Sequence, residues 1–133
     1  MLPVMVRRGG VAALLTVLTG VAAGCETRSV ALTGSTSSEG IVVESVRLEQ
    51  LASNHCDVHG TIRNESTEGH RVTLDFRALN GRGATIASAT ATVDFVAAGE
   101  RANYAARWRD TSDDGFLNDC DRIARVEVVS ILT

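Results

Sequence analysis

The stretch RVTLDFRAL, residues 71–79, decides the fold class. Val72, Leu74, Phe76 and Ala78 alternate with Arg71, Thr73, Asp75 and Arg77, a period of two that places every second side chain on one face of an extended chain. A strand apolar on one face and polar on the other belongs to an antiparallel sheet with one face covered. The same period continues on either side. Cys56, Val58, Gly60 and Ile62 share one parity, and Asp57, His59, Thr61 and Arg63 the other. Ala102, Tyr104, Ala106 and Trp108 alternate with Arg101, Asn103, Ala105 and Arg107. In IVVESVRLEQL, residues 41–51, Val42, Val46 and Leu48 fall on one face. The Ala/Thr/Val-rich segment 84–95 reads as a further, small-sided strand, and RIARVEVVSIL, residues 122–132, closes the set.

Turn formers separate these runs: Asn64-Glu65-Ser66 with Gly69, Asn80-Gly81-Arg82-Gly83, Ala98-Gly99-Glu100, and Asp113-Asp114-Gly115. The single Pro lies at position 3, and no segment after residue 24 carries a helical period. Six to seven short strands at regular spacing predict an all-β, immunoglobulin-like antiparallel β-sandwich over residues 41–133, with Phe76 and Trp108 as its core anchors. A domain of that size is near the lower limit of what folds alone, so a covalent staple would help it.

Ahead of the domain the chain changes character. Residues 1–10 carry Arg7 and Arg8 and no acid, and residues 11–24, VAALLTVLTGVAAG, are uncharged and mostly apolar. A basic start, a short apolar run and a small-residue exit is the layout of a secretory signal peptide, and the run falls short of the roughly 20 residues a membrane-spanning helix needs. Arg7-Arg8 also admits a twin-arginine export route, although the residues that flank that motif are missing.

At the exit, Ala22-Ala23-Gly24-Cys25 resembles the bacterial lipobox, with Ala22 where that motif usually has Leu. The resemblance implies removal of residues 1–24 and a thioether-linked diacylglycerol on Cys25, with palmitate-type acyl chains. An ordinary secretory signal followed by an unmodified cysteine is the alternative. Two acyl chains at ~0.8 kcal/mol per buried methylene hold a protein stably on a membrane, where one chain is marginal. Such a protein faces away from the cytoplasm, anchored to the cell membrane.

Cysteine arithmetic fits that compartment. With Cys25 lipidated, Cys56 and Cys120 form an even pair in an oxidising setting, where a disulfide is expected; two buried free thiols are the alternative. Closing a loop of 64 residues stabilises the fold by up to ~4 kcal/mol on the chain-entropy account. Residues 26–40, ETRSVALTGSTSSEG, are rich in Ser, Thr and Gly and read as a flexible tether.

All 13 basic residues are Arg, and loss of residues 1–24 removes two of them and no acid, leaving a net charge of about −5. That balance disfavours nucleic acid and anionic headgroups as electrostatic partners.

Three further strings carry a resemblance to a family. Gly60-Thr61-Ile62-Arg63-Asn64, then Phe76-Arg77-Ala78-Leu79-Asn80-Gly81-Arg82-Gly83, then Gly99-Glu100 resemble the FxLYD domain, a β-sandwich module of bacterial and archaeal secreted proteins. Phe76 and Gly83 stand where that motif has them, while Ala78, Leu79 and Asn80 replace its Leu, Tyr and Asp. What the resemblance implies is a non-catalytic sandwich, and it brings no functional residues with it.

The sharpest local pattern is DTSDDGFLNDCD, residues 110–121. Asp110, Ser112, Asp114, Asn118 and Asp121 fall at the first, third, fifth, ninth and twelfth places of an EF-hand loop, with Gly115 sixth. Oxygen ligands at that spacing can wrap Ca2+, yet the flanks read as strands and Asp stands at the twelfth place instead of Glu. A solvated acidic loop is the competing reading. In HCDVH, His55 and His59 bracket Cys56, but four residues along a strand separate them by ~13 Å, too far to share one metal. His70 sits beside a turn.

No Gly-x-Ser-x-Gly, phosphate-binding loop or His-Glu-x-x-His string occurs. The expectation is therefore a membrane-anchored, non-catalytic binding, adhesion or scaffolding module without a cofactor, whose partners are the membrane, through Cys25, and an envelope protein or ligand. A calcium-stabilised module using loop 110–121 is the alternative.

Overall fold

The computed structural model describes residues 25–52, 54–112 and 115–133, so the signal-like segment 1–24 lies outside the described residues. Its strands are β1 (Cys25–Ser29), β2 (Ala31–Gly34), β3 (Ser37–Ser38), β4 (Ile41–Leu51), β5 (His55–Asn64), β6 (His70–Leu79), β7 (Thr85–Val96), β8 (Arg101–Arg107), β9 (Arg109–Asp110) and β10 (Arg125–Leu132), with a 3-10 turn at Cys120–Arg122 before the last. One sheet has the order β1-β4-β5-β8, with β3 also on β4, and the other has the order β9-β7-β6-β10-β2. The fold is an all-β sandwich, and seven of its strands lie in 41–133, as the alternation and turn spacing predict.

Burial follows the parity read from the sequence. Val72, Leu74, Phe76 and Ala78 of β6 and Cys56, Val58, Gly60 and Ile62 of β5 point inward, and Arg71, Thr73, Asp75 and Arg77 do not. Phe76 stacks on Tyr104 with centroids 5.3 Å apart and meets Trp108 edge-on at 6.4 Å. Trp108 is 0% exposed, so these three rings form the centre between the sheets.

Two expectations are corrected. Residues 26–40 are not a free tether. β1 pairs antiparallel with β4, β3 with the other end of β4, and β2 lies parallel to β10, the one parallel pair in the described sandwich. The domain therefore begins at β1 and not at residue 41. Without this segment, the outer edges of β4 and β10 would present unpaired backbone groups to solvent. Two positions let the segment change direction. Gly34 has φ +88, where a Cβ would stand 2.5 Å from the Val128 carbonyl oxygen, and Glu39-Gly40, with φ 52 and 86, make the two-residue turn from β3 into β4.

The second correction concerns β4. Ile41 and Val43 are buried while Val42 is only half-buried, and Val46 and Leu48 are buried farther on. The register against β5 shifts between Val43 and Ser45, and this bulge moves the inward parity by one residue. Beside it the Tyr104 hydroxyl donates to the Ser45 carbonyl at 2.7 Å, and a Cβ on Gly60 would lie 2.0 Å from that same oxygen. Gly60 thus leaves the space through which Tyr104 crosses β5.

The strand directions define two ends. Ala52 and Asn54, turn 80–84, the described residues of 111–119 and the Cys56–Cys120 disulfide lie at one, and turns 39–40, 65–69 and 97–100 at the other.

Candidate anchor strand and the cleft beside it

Cys25 opens β1 opposite Leu51, the last residue of β4, and pairing continues from Glu26–Gln50 to Ser29–Arg47. Arg28 secures the strand from the side, its Nη2 donating to the Cys120 carbonyl at 2.7 Å and the Ile123 carbonyl at 3.1 Å. Gln50 performs the matching role from β4. Its Nε2 donates to the Asn118 carbonyl at 2.7 Å, and its Oε1 accepts from the Cys120 amide at 2.7 Å. Charged and amide groups therefore hang the loop before β10 on the edge of the opposite sheet. An open cleft of about 1000 Å3 lies between them, lined by aliphatic Leu48 and Leu51 and by polar Glu26, Arg28, Asn118 and Asp121.

The disulfide expected from the cysteine count is present, with an S–S distance of 2.01 Å. It ties the start of β5 to the 3-10 turn that leads into β10. Asp119 caps that turn, its Oδ1 accepting from the Asp121 amide at 2.9 Å.

The loop read as a possible calcium site engages its own groups. Asp110 Oδ1 accepts from the Ser112 amide at 2.9 Å and hydroxyl at 2.8 Å, while Oδ2 faces Arg122 Nη1 at 3.3 Å. The Ser112 hydrogen bonds, aided by Arg122, hold the Asp110 carboxyl below its ordinary value. Asn118 and Asp121 are exposed, and Asp114 lies outside the described residues. Among the described residues, no group of three or more His, Cys, Asp or Glu side chains is placed to hold a metal ion.

His55 and His59 go to separate partners. His59 Nδ1 lies 3.2 Å from Arg47 Nη2 and its Nε2 3.0 Å from Glu49 Oε1, whereas the His55 ring meets the edge of Phe116 at 5.7 Å. Outward carboxylates are similarly engaged across strands. Asp57 pairs with Arg107 at 3.1 Å, Asp75 accepts from Thr90 at 2.7 Å and Ser130 at 3.0 Å, and Glu44 joins Arg101 at 2.7 Å and Arg63 at 3.0 Å. Glu44 is held below its ordinary carboxyl value, first by the Arg101 hydrogen bond. These solvent-screened pairs form a cross-strand ladder in which each contact adds little by itself.

At the opposite end, Asn64 is 0% exposed and fully engaged. Its Nδ2 donates to the carbonyls of Glu68 at 2.7 Å and Val96 at 3.0 Å, and its Oδ1 accepts from the Ser66 amide at 2.9 Å and hydroxyl at 2.6 Å. The Asn-Glu-Ser string is thus a turn staple with its amide nitrogen occupied. Periodicity placed Tyr104 on the inward face but gave no partner for its hydroxyl, and it did not single out Arg28 or Gln50. The partners of Arg28, Gln50 and Tyr104 lie 92, 70 and 59 positions away, beyond the range of any local pattern.

Among the described residues, no helix is long and apolar enough to cross a membrane. In comparisons with known proteins, the chain matches no family model, no curated protein and no solved structure.

Proposed function

We propose that the chain is an extracytoplasmic lipoprotein, anchored in the cell membrane through acyl chains on Cys25, whose β-sandwich is a non-catalytic binding, adhesion or scaffolding module. The observation that carries this function is the order of segments up to Cys25: a basic start, an apolar run too short to span, small residues, then a cysteine. The Cys56–Cys120 bond supports it, since the pairing accounts for the other two cysteines and suits an oxidising compartment. The non-catalytic part is supported by the outward carboxylates, which are taken up by cross-strand Arg, Thr and Ser partners. Ligands or partner proteins would meet the domain along its exposed turns.

Membrane fractionation of a bacterial host tests the proposal. The wild-type chain should stay with the membranes through a high-salt wash and enter the detergent phase. Cys25→Ala should leave the protein unlipidated and remove it from the detergent phase. Wild-type protein in the wash supernatant would overturn the anchor.

A further inference from the structure

We propose that the disulfide end of the sandwich lies directly against the bilayer, with Phe116 at the headgroup layer and no spacer between lipid and domain. This rests on Cys25 being the lipid-bearing residue. Glu26, the next residue, is already paired with Gln50, and pairing runs through to Ser29. A free segment of the length of 26–40 would reach up to ~50 Å at 3.3–3.6 Å per residue, whereas a strand pinned by Arg28 to Cys120 and Ile123 permits almost no stand-off.

A row across the end of the sheet then determines which surface meets the membrane. Cys25 is opposite Leu51, Leu51 is opposite His55, and the His55 ring touches Phe116 at 5.7 Å. With strands ~4.8 Å apart, Phe116 stands beside the anchor and not at the far end of the molecule. Phe116 is 43% exposed, and the Arg107 and Arg109 guanidinium groups sit 5.5 and 5.7 Å from its ring centroid. An apolar ring framed by charged heads suits a layer where hydrocarbon gives way to headgroups within a few ångströms. Asp110, Asp119 and Asp121 crowd the same end, so attraction to anionic lipid is not the driving force; the acyl chains hold the surface in place. The end carrying turns 39–40, 65–69 and 97–100 is presented outward.

The test uses the full chain purified from host membranes and placed in phosphatidylethanolamine/phosphatidylglycerol nanodiscs containing a headgroup-nitroxide lipid. Trp108 is 0% exposed, so it supplies a constant background in wild-type protein. Phe116→Trp adds a reporter at the anchored end, and Phe95→Trp adds one at the other, where Phe95 is 67% exposed. Ten-residue strands separate the ends by roughly 30 Å, so nitroxide quenching should be stronger by about twofold or more at position 116 than at 95. Ala52→Trp, in the turn beside Leu51, should behave as Phe116→Trp does and covers the case of a poorly folded 116 variant. Equal or reversed quenching in protein whose intact mass includes the lipid would overturn the orientation and leave the anchor standing. An unlipidated mass would overturn both.

Discussion

The two ends of this sandwich are closed by different means. At the end carrying turns 65–69 and 97–100 one neutral side chain, Asn64, joins three segments: its amide reaches Glu68, Val96 and Ser66, and its main chain accepts from Gly99 at 2.7 Å and donates to Glu100 at 2.9 Å. At the other, a covalent Cys56–Cys120 bond carries the load, with Arg28 and Gln50 gripping the carbonyls around it. A hydrogen-bonded closure demands short turns with set geometry. A covalent closure tolerates a longer loop, and 111–119 is such a loop, whose described side chains are largely surface. The end least constrained by its turns is therefore the one where β1 begins.

Breaking the covalent closure should cost the most. Cys56→Ala with Cys120→Ala is expected to lower unfolding free energy by up to ~4 kcal/mol in urea titration, the chain-entropy value for a 64-residue loop. A loss under ~1 kcal/mol would mean that Arg28 and Gln50 close this end unaided. Asn64→Ala should follow at ~3 kcal/mol, because it leaves the Glu68 and Val96 carbonyls and the Ser66 amide without their partner. Asn64→Asp should be little better, since a carboxylate keeps the acceptor and loses both donated bonds.

Smaller changes sharpen the contrast. Gln50→Ala should cost ~1 kcal/mol globally but raise amide exchange around Asn118–Cys120 while leaving 65–69 protected. Equal loosening of both ends would show that they are not separate units. The smallest effect concerns pH. Asp110 has a folded pKa below its ordinary 3.8, so its contribution is present above that value and is lost as pH falls through the folded one. Asp110→Asn should lower stability slightly at neutral pH, flatten the acid limb of the stability curve below about pH 4, and match the wild type once the wild-type carboxyl is protonated.

The sandwich was legible wherever one face of a strand is covered, because burial there writes a period of two into the residues. β5, β6 and β8 are such cases, and the Phe76 and Trp108 anchors came with them. β1, β2 and β3 escaped notice for the opposite reason. They are edge strands with mostly exposed or half-exposed side chains, so Ser, Thr and Gly serve as well as any apolar residue, and the pairing partner supplies the stability. The β4 bulge escaped because nothing in VVES marks an extra residue; beside it Tyr104 reaches Ser45 past Gly60, a contact across 59 positions that no local pattern carries. At the candidate site, the cysteine pairing followed from counting, while the rigid seating of β1 depends on Arg28 and on carbonyls near the other end of the chain.

Intact-mass measurement of the protein extracted from host membranes, with and without reduction, tests the anchor most directly. The expected mass is that of residues 25–133 plus the diacylglyceryl modification, two hydrogens lighter before reduction because Cys56 and Cys120 are joined. A chain retaining residues 1–24, or one beginning at an unmodified Cys25, would contradict the lipoprotein function and the membrane-facing surface drawn from it.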